Sequence, residues 1–369
     1  MNSMNPLRLL VLAAGTRVGQ NILATFAGRK ENVALIATTS VADEPGPFGY
    51  DRVYLVPETA SPDFEPRLLE IVANEHVDLV VPCRDDDVLM LAKLRERRPD
   101  LASRLLSGSV AAAHAIGDKA EGYAFSVRHD LPFAPTLVNA GADERSAFVR
   151  EHGFPLIVKP RRGYASLGVF LVWNERQLEN AFAREDTVAQ KFLGDRDVLS
   201  RFLDGVEREG MPLFHTFQGR RHSIQVVVAP DGSIVDVMCI LLQSDRRRSK
   251  TVMPDPEPMA RSIGERCGAA FSDAGWRGPL NIQCQKDAAG RLMIHEYNGR
   301  FTGATMTRWY LGFDEVGTTI AAFTGRTLGD APCTPSSAPR EIFEMVEARG
   351  ANPADVAVLA RDRVWHRPV

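Results

Sequence analysis

The chain has 369 residues, of which 44% are hydrophobic and 25% are charged, and its formal net charge is −3. This length exceeds a single compact core and predicts two or three domains. The small negative charge disfavours a general nucleic-acid binder. The five scattered cysteines contain no C-x-x-C pair, which disfavours a zinc cluster or a disulfide framework, and no apolar run approaches the ~20 residues that cross a bilayer. We therefore expect a cytoplasmic enzyme or binding protein without nucleic-acid or membrane partners.

The first hundred residues alternate between strand-like and helix-like stretches. LRLLVLAA, NVALIATTS and VDLVVPC have the pattern of buried strands, and GTRVGQNILATFAGR, PRLLEIVANEHV and DDDVLMLAKLRERRP that of helices. This alternation predicts an open parallel sheet wrapped by helices. The turn AAGTRVG is G-x-x-x-G rather than G-x-G-x-x-G, and no acid ends the second strand. Its glycines are therefore expected to allow close strand–helix packing rather than to bind a dinucleotide.

From about residue 112 the pattern changes to a mixture of helices and short strands. A single helix is predicted over AAAHAIGDKAEGYAFSVRH. Extended stretches follow at DLPFAPTLV, FPLIVKP, VFLVW and TVAQKFL, together with a helix, NERQLENAFA, whose N-cap is Asn174.

Two hairpins dominate the next part of the chain. RRHSIQVVVAPDGSIVDVMCILLQ turns at PDGS, and PLNIQCQKDAAGRLMIHEYN turns at DAAG, with the helix PEPMARSIGERCGAAFSDAG between them. The predicted fold is an α/β domain with an open parallel sheet, residues 1–112, followed by α+β subdomains with antiparallel sheets, residues 113–195 and 196–335. Residues 336–369 are expected to form a tail that packs on the body.

The stretch HEYNGRF at the end of the second hairpin places Glu296, Asn298 and Arg300 two residues apart, so on a strand their side chains share one face. A two- or four-residue connection at DAAG would bring Gln283 to the same face as Glu296. A buried charge needs a partner, and Mg²⁺ beside phosphates prefers oxygen ligands. Gln283, Glu296 and Asn298 are therefore predicted metal ligands. The alternative is a solvated strand face.

FPLIVKPRRGYASLG has the form of a phosphate-binding segment. A strand that ends at Lys159 delivers an ammonium group to a Gly/Ser loop, whose backbone N–H groups can wrap phosphate oxygens. No Walker A sequence, G-x-x-x-x-G-K-[ST], is present. Gly163 and Gly168 could instead serve turns alone, and Lys119, in GDKAEG, could be a surface lysine.

Two further stretches are each open to two interpretations. VAQKFL could be an ordinary edge strand, or its exposed backbone could hydrogen-bond an adenine edge while Phe192 and Leu193 cover the ring. SDRRRSK could be a solvated basic loop. It could also be a clamp in which Arg246, Arg247 or Arg248 binds an anionic substrate or an acyl phosphate through its guanidinium fork.

Together these motifs resemble the ATP-grasp superfamily, most closely its carbamoyl-phosphate-synthase-like branch. The resemblance runs from the N-terminal α/β domain to about residue 330, with LIVKP, VAQKFL, SIQVVVAPDG, GPLNIQ and EYNGR in the family's order. The pairing of NIQ with E-x-N-x-R is its most specific part. The resemblance implies that RRGYASLG closes over the ATP phosphates as a lid and that Gln190–Leu193 form the adenine hinge. The nucleotide-binding residues so implied are Lys119, Lys159, Gly163, Ser166, Gly168, Gln190, Phe192 and Leu193.

The resemblance also implies a function. Gln283, Glu296 and Asn298 would hold two Mg²⁺ ions, for which Mn²⁺ could substitute. Lys159 would neutralise charge on the ATP phosphates, and Arg300 would act on the transferring phosphoryl group or on the substrate. ATP would phosphorylate a small carboxylate to an acyl phosphate, which an amine or a similar nucleophile would attack, with release of ADP and phosphate. The partners so expected are the two small-molecule substrates and a second copy of the chain in a homodimer. The alternatives are an ATP-binding regulatory protein that has lost turnover and a dinucleotide-dependent oxidoreductase.

Two departures from the family's pattern affect the hinge. The acid that usually follows it to bind ribose is displaced by GDRDVLSRFLDGVEREGMPLFHTF, and His222 stands where that acid is expected. A rival alignment makes LFHTFQGRRHS the hinge, which moves the adenine contacts to residues 214–217. The metal residues are the same under both alignments.

Overall fold

The computed structural model describes residues 5–163, 167–184, 186–211, 219–245, 248–329, 341–343 and 350–368, with the backbone alone inside 244–250. The described strands form a five-stranded, a six-stranded and a four-stranded sheet. The first is parallel except at one edge, and the other two are antiparallel. The predicted combination of an α/β domain with α+β subdomains is therefore confirmed. None of the described helices is long and apolar enough to span a membrane.

The N-terminal sheet is built from short apolar strands that alternate with helices. Its parallel strands, in the order β3-β2-β1-β4, are β1 (Leu7–Val11), β2 (Val33–Thr39), β3 (Arg52–Leu55) and β4 (Leu79–Val81). One face packs on α1 (Arg17–Ala24), and the other on α2 (Phe64–Asn74) and α3 (Asp85–Arg97). Because the strand order reverses between β1 and β4, the loops after these two strands open a crevice at their carboxyl ends.

The glycine-rich turn after β1 behaves as predicted. A Cβ on Gly19 would collide with the backbone of Ala14, so only glycine lets α1 begin this close to the end of β1. The sequence analysis missed β3, which has only four residues and lacks a long apolar run.

The single helix predicted from residue 112 is wrong, because two helices stand there: α4 (Val110–Gly117) and α5 (Lys119–Arg128). Asp118 separates them. Its extended backbone breaks the first helix, and its side chain accepts hydrogen bonds from the N–H groups of Ala120 and Glu121 as the N-cap of the second. Lys119 is therefore the first residue of α5.

The four-stranded sheet carries the segment predicted to bind phosphate. Its strands, in the order β5-β8-β6-β7, are β5 (Thr136–Val138), β6 (Leu156–Pro160), β7 (Phe170–Val172) and β8 (Thr187–Lys191). The helices α6 (Ala142–His152), which was not predicted, and α7 (Glu175–Phe182), capped by Asn174 as predicted, accompany it. TVAQKFL is not an edge strand, since β8 pairs with both β5 and β6.

The six-stranded sheet carries the predicted metal residues. Its strands, in the order β13-β12-β9-β10-β11-β14, are β9 (Arg220–Val228), β10 (Ile234–Asp245), β11 (Arg248–Pro254), β12 (Gly278–Lys286), β13 (Leu292–Asn298) and β14 (Ile342–Phe343). The helices of this region are α8 (Arg196–Glu209), α9 (Pro258–Asp273), α10 (Thr305–Tyr310) and α11 (Glu315–Thr324). The stretch SDRRRSK was predicted as a loop, but β10 continues to Asp245 and β11 begins at Arg248, which pairs with Asp245; residues 246 and 247 lie outside the described residues.

The register of the β12–β13 hairpin differs from the predicted one but leads to the predicted neighbours. The connection between Lys286 and Leu292 has five residues rather than two or four, which by itself would put Gln283 and Glu296 on opposite faces. A β-bulge at His295 adds one residue to β13 and restores the pairing of Gln283 with Glu296. The predicted loop length is thus wrong, and the predicted pair is correct.

The last described residues return to the N-terminal sheet. Helix α12 (Pro353–Asp362) leads into β15 (Val364–His366), which pairs antiparallel with β3 at the sheet's edge. Trp365 is buried, and its ring meets that of Phe48 edge to face at 5.2 Å. The predicted division into domains at residues 112, 195 and 335 stays a prediction.

Candidate functional site

A cavity of about 570 Å³ lies between the four-stranded and six-stranded sheets. Ten of the predicted site residues line it: Lys119, Lys159, Gly163, Gln190, Phe192, Leu193, Gln283, Glu296, Asn298 and Arg300. Lys191, within the predicted hinge, and Leu167, within the predicted lid, also line it. The remaining lining residues were not predicted: Ile157, Pro160, Val169, Leu171, Arg221, Gln285 and His295. The lining residues therefore come from six separate stretches of the sequence: 119, 157–171, 190–193, 221, 283–285 and 295–300.

The other predicted site residues do not take part in the described cavity. Gly168 has a φ of +72° and is not among the lining residues, which fits the alternative that it serves a turn. Ser166, Arg246 and Arg247 lie outside the described residues, and the side chain of Arg248 does too. The rival hinge at residues 214–217 also lies outside them.

The second hairpin supplies the oxygen atoms of the cavity. Gln283 and Glu296 face each other across the ladder, and Asn298 follows two positions along β13. Asn298 is 4% exposed, whereas the Glu296 side chain is 26% exposed and lies 3.4 Å from the ammonium of Lys119. The carboxylate and its nearest cation therefore come from opposite sides of the cavity.

Arg300 lies where β13 ends and is held on two sides. Its Nη2 donates to Asn298 Oδ1 at 3.0 Å and to Asp85 Oδ2, also at 3.0 Å. Asp85 is the first residue of α3 in the N-terminal domain, and nothing in the sequence pointed to it. Asp85 Oδ1, Arg300 Nε and Asn298 Nδ2 are buried without hydrogen-bond partners among the described residues. Such atoms are costly in a folded protein, so this junction favours a polar ligand or water.

Lys159 is almost fully buried at the floor of the cavity. Its Nζ donates to Gln190 Oε1 and to the backbone oxygen of His295, both at 2.9 Å. Gln190 is itself oriented by a hydrogen bond from its Nε2 to Thr136 Oγ1. Burial lowers the pKa of Lys159 to about 8; the carboxylate of Glu296 opposes this shift and the ammonium of Lys119 adds to it. An anion placed against Lys159 would raise this pKa again.

His295, the residue added by the bulge, enters the cavity next to Glu296. Burial lowers its pKa to about 3, and the positive charges of Lys159, Arg221 and Lys119 act in the same direction. The ring is therefore neutral near pH 7. Alternation along the strand assigns position 295 to the opposite face from Glu296, so only the bulge, which has no sequence signal here, explains its presence.

Asp118 ties the two lysines of the site together. Besides capping α5, its carboxylate contacts Arg161, through Nε and Nη2 at 3.0 Å each, and Arg162 at 3.3 Å. The backbone N–H of Lys119 donates to Arg161 O at 3.0 Å. Burial would raise the pKa of Asp118, but the hydrogen bonds from Arg161 and from the backbone lower it below its ordinary value. The Asp118 carboxylate thus joins the start of α5 to the chain that leaves β6.

An apolar wall completes the cavity. Ile157, Leu167, Val169 and Leu171 come from β6, β7 and the chain between them, and they face Phe192 and Leu193 at the end of β8 in the lining. A slot with apolar sides and a strand end at its rim can hold a flat aromatic ring. His222 does not take part, since it pairs with Asp255 at 2.7 Å and is not a lining residue.

Two family models match the sequence. The PylC-like, N-terminal domain matches residues 9–104, and the Carbamoyl-phosphate synthase L chain, ATP binding domain matches residues 118–329. The second match covers more than half of the chain and contains all the predicted nucleotide-binding and metal residues.

Several curated proteins are similar over part of the chain. A biotin carboxylase of Halalkalibacterium halodurans is 26% identical over 49% of this chain and 41% of its own length. A pyruvate carboxylase of Staphylococcus aureus is 31% identical over 31% of this chain and 11% of its own length. A phosphoribosylamine–glycine ligase of Xanthomonas axonopodis is 28% identical over 44% of this chain and 37% of its own length. The chain thus matches less than half the length of these relatives.

Solved structures resemble the fold over most of the chain. An N5-carboxyaminoimidazole synthetase of Staphylococcus aureus complexed with ADP has a TM-score of 0.65 at 15% identity, covering 89% of this chain and 80% of that one. A biotin carboxylase of Campylobacter jejuni in a β,γ-ATP complex has a TM-score of 0.63 at 17% identity, covering 90% and 74%. At these identities the likeness concerns the fold alone.

Proposed function

The chain belongs to the ATP-grasp superfamily, in the family of the carbamoyl-phosphate synthase L chain ATP-binding domain, and on this premise we propose that it is an ATP-dependent carboxylate–amine ligase. In the proposed reaction a substrate carboxylate oxygen attacks the γ-phosphorus of ATP, giving an acyl phosphate and ADP. The amine then attacks the acyl carbon, and the C–O bond to phosphate breaks as the amine loses a proton. The observation that supports this best is the meeting of Lys119 and Lys159 with Glu296, Asn298 and Arg300 in one cavity.

The donor set of the cavity suits Mg²⁺ rather than a softer metal. The described residues contain no group of three or more His, Cys, Asp or Glu side chains that could hold a metal ion. The candidate ligands are instead one carboxylate, Glu296, and the amide oxygens of Gln283 and Asn298, a hard-oxygen set of the kind that Mg²⁺ shares with phosphate oxygens and water. When bound, the ions would neutralise negative charge on the phosphates. We propose two ions, with Mn²⁺ as a substitute.

The chain's own residues would bind the phosphates and hold them in line. A triphosphate carries more negative charge than the groups that Lys119 and Lys159 contact in the structure. The low polarity around Lys159 strengthens its attraction to a phosphate oxygen. Gln190 keeps the Lys159 ammonium pointed into the cavity. Arg300, which lines the same cavity, would face the transferring phosphoryl group and the substrate carboxylate.

The apolar slot would receive the adenine, with Phe192 and Leu193 at its rim. Enclosure of the phosphates would protect an acyl phosphate from water. We propose that Gly163 and Ser166, which follow Arg162 in the sequence, contribute to this enclosure. The arginines at 246–248 are proposed to bind the anionic substrate, and the homodimer stays a prediction.

The test is a screen for ADP release with Mg·ATP and pairs of small carboxylates and amines. We expect release to require Mg²⁺ and a carboxylate, and to rise when the matching amine is added. Hydroxylamine in place of the amine should trap the acyl phosphate as a hydroxamate, which identifies the carboxylate by mass. A protein that is stabilised by Mg·ATP but releases no ADP with any pair would support the regulatory alternative. Stabilisation by NAD⁺ instead of Mg·ATP would contradict both.

A further inference from the structure

The hydrogen bond between Asp85 and Arg300 joins residues 215 positions apart in the sequence. Asp85 begins α3 at the carboxyl edge of the N-terminal sheet, on the β4 side of the crevice where the strand order reverses. Arg300 lies two residues after the end of β13, the strand that carries Glu296 and Asn298. Their side chains are 22% and 13% exposed, so the pair is shielded from solvent on most sides. The contact thus links the first domain directly to the proposed chemistry.

The three consecutive acids at the start of α3 have different surroundings. Asp87 is fully buried and is bonded to Thr59 and to the backbone of Arg84, inside the N-terminal domain. Asp86 is exposed. Asp85 has its side-chain hydrogen bond with Arg300, and among the described residues it makes none within its own domain. The N-terminal domain therefore does not need the Asp85 carboxylate for its own hydrogen bonding.

The same contact affects an oxygen that the proposed metal requires. Arg300 Nη2 also donates to Asn298 Oδ1, the amide oxygen proposed as a metal ligand. If Asp85 lost its charge, the guanidinium would keep Asn298 as its main partner and would compete with the ion for that oxygen. With Asp85 in place, the guanidinium has a second anchor and can leave Asn298 without losing all its hydrogen bonds.

We propose that Asp85 is a positioning residue, which holds Arg300 in the orientation needed at the phosphoryl group and keeps it from blocking Asn298. The inference rests on the proposed function for its effect on turnover, and on the proposed metal site alone for its effect on metal binding. It makes the first turn of α3 a part of the site, although no residue of this turn lines the cavity.

The test compares Asp85→Asn with Asp86→Asn, its matched control. Both changes replace a carboxylate by an amide in the first turn of α3, so both remove the same favourable interaction with the helix N-terminus. We expect Asp85→Asn to lower kcat by about 10–100-fold with little change in the KM for ATP, since groups that orient the residues of a metal site have effects of this size. Asp86→Asn should match the wild type.

A second measurement separates positioning from a general structural effect. The Mn²⁺ affinity, measured by calorimetry in the presence of ADP, should weaken about 3–10-fold in Asp85→Asn and not in Asp86→Asn. In an Arg300→Gln background the same Asp85→Asn change should add little, because the group through which it acts is gone. Circular dichroism and melting curves check folding.

The outcomes are distinguishable. If the wild type releases no ADP with any substrate pair but the Mn²⁺ results follow the expected pattern, the ligase proposal fails and the positioning role stands. Equal Mn²⁺ affinities and equal turnover in the two variants would overturn the positioning role. So would an Asp85→Asn effect of the same size with and without Arg300.

Discussion

The two halves of the cavity contribute opposite charges to its ion pair of Lys119 and Glu296, although Arg221 and Arg300 also lie on the side of Glu296. The six-stranded sheet supplies Glu296 and the amide oxygens beside it, whereas α5 and the four-stranded sheet supply Lys119 and Lys159. In the structure these halves satisfy each other, with Lys119 3.4 Å from Glu296 and Lys159 bonded to the backbone of His295. If Mg·ATP binds here as proposed, it replaces contacts that already exist, with metal taking the oxygens and phosphate the lysines. Binding at this site is therefore an exchange of partners, which makes it sensitive to metal concentration and pH.

The largest expected effect comes from removing the charge of the anionic half. Glu296→Gln keeps the size of the side chain but takes one negative charge from a site proposed to hold two dications, and loss of a single charge-stabilising group there costs about 10²–10³ in turnover. The Mg²⁺ midpoint for ADP release should move to higher concentration. Glu179→Gln, on the exposed face of α7, is the control. A folded Glu296→Gln protein with normal turnover and Mg²⁺ midpoint would remove Glu296 from the site.

The cationic half can be weakened with pH alone. Because the pKa of Lys159 is lowered from 10.5 to about 8, the folded chain binds fewer protons than the unfolded one between these values. The free energy of unfolding of the ligand-free protein should therefore rise with pH across this window. The affinity for ATP should fall above pH 8, by up to about tenfold per pH unit, because the neutral amine does not attract phosphate. Calorimetry in buffers of different ionisation enthalpy should show proton uptake on binding near pH 8.5.

Lys159→Met is the reference for that measurement. It should bind ATP weakly at every pH and take up no proton. If the wild type and this variant lose affinity in parallel above pH 8, another group is responsible for the titration.

A smaller effect is expected from weakening the contacts of Asp118, which connect the segments that carry Lys119 and Lys159. Asp118→Asn keeps an oxygen that can cap α5 but loses the charge that holds Arg161 and Arg162. We expect the KM for ATP to rise about 3–10-fold with kcat nearly unchanged, because phosphate binding rather than chemistry is disturbed. Asp195→Asn, at the N-cap of α8, tests the loss of a capping carboxylate elsewhere. A fall in kcat at constant KM would contradict this assignment.

The smallest effect is expected when a second negative charge is added beside Glu296. Gln283→Glu puts a second carboxylate directly across the ladder from Glu296. Without metal the two charges repel, so the melting temperature should fall slightly. With Mg²⁺ it should recover, and the Mg²⁺ midpoint should fall about threefold because ligand charge raises cation affinity. Gln177→Glu, on α7 and outside the cavity lining, is the control and should show no Mg²⁺-dependent change.

The sequence predicted the elements and residues of the cavity better than their connections. The alternation of strands and helices, the two hairpins and the E-x-N-x-R pattern depend on short-range periodicity, which a single sequence carries. The five-residue connection and the bulge at His295 do not, since bulges have no residue signature at this position. The correct pairing of Gln283 with Glu296 was reached from an incorrect loop length.

Contacts between distant parts of the chain could not be predicted from the sequence either. Asp85 belongs to a run of three acids that is typical of a helix N-terminus, and only the packing of the two domains shows that one of them meets Arg300. The break at Asp118 had a local signal, a Gly-Asp pair at a helix boundary, but the alanine-rich stretch before it suggested one continuous helix.

The antiparallel strand β15 is synthesised long after its partner in the N-terminal sheet, β3. Its Val364 pairs with Tyr54, which a ribosome makes some 310 residues earlier. Throughout that interval the outer edge of β3 lacks its partner, and open edges of this kind recruit strands from other chains. Closure over so long a loop is slow compared with local pairing. The edge of β3 is therefore open to pairing with other chains during synthesis until β15 covers it.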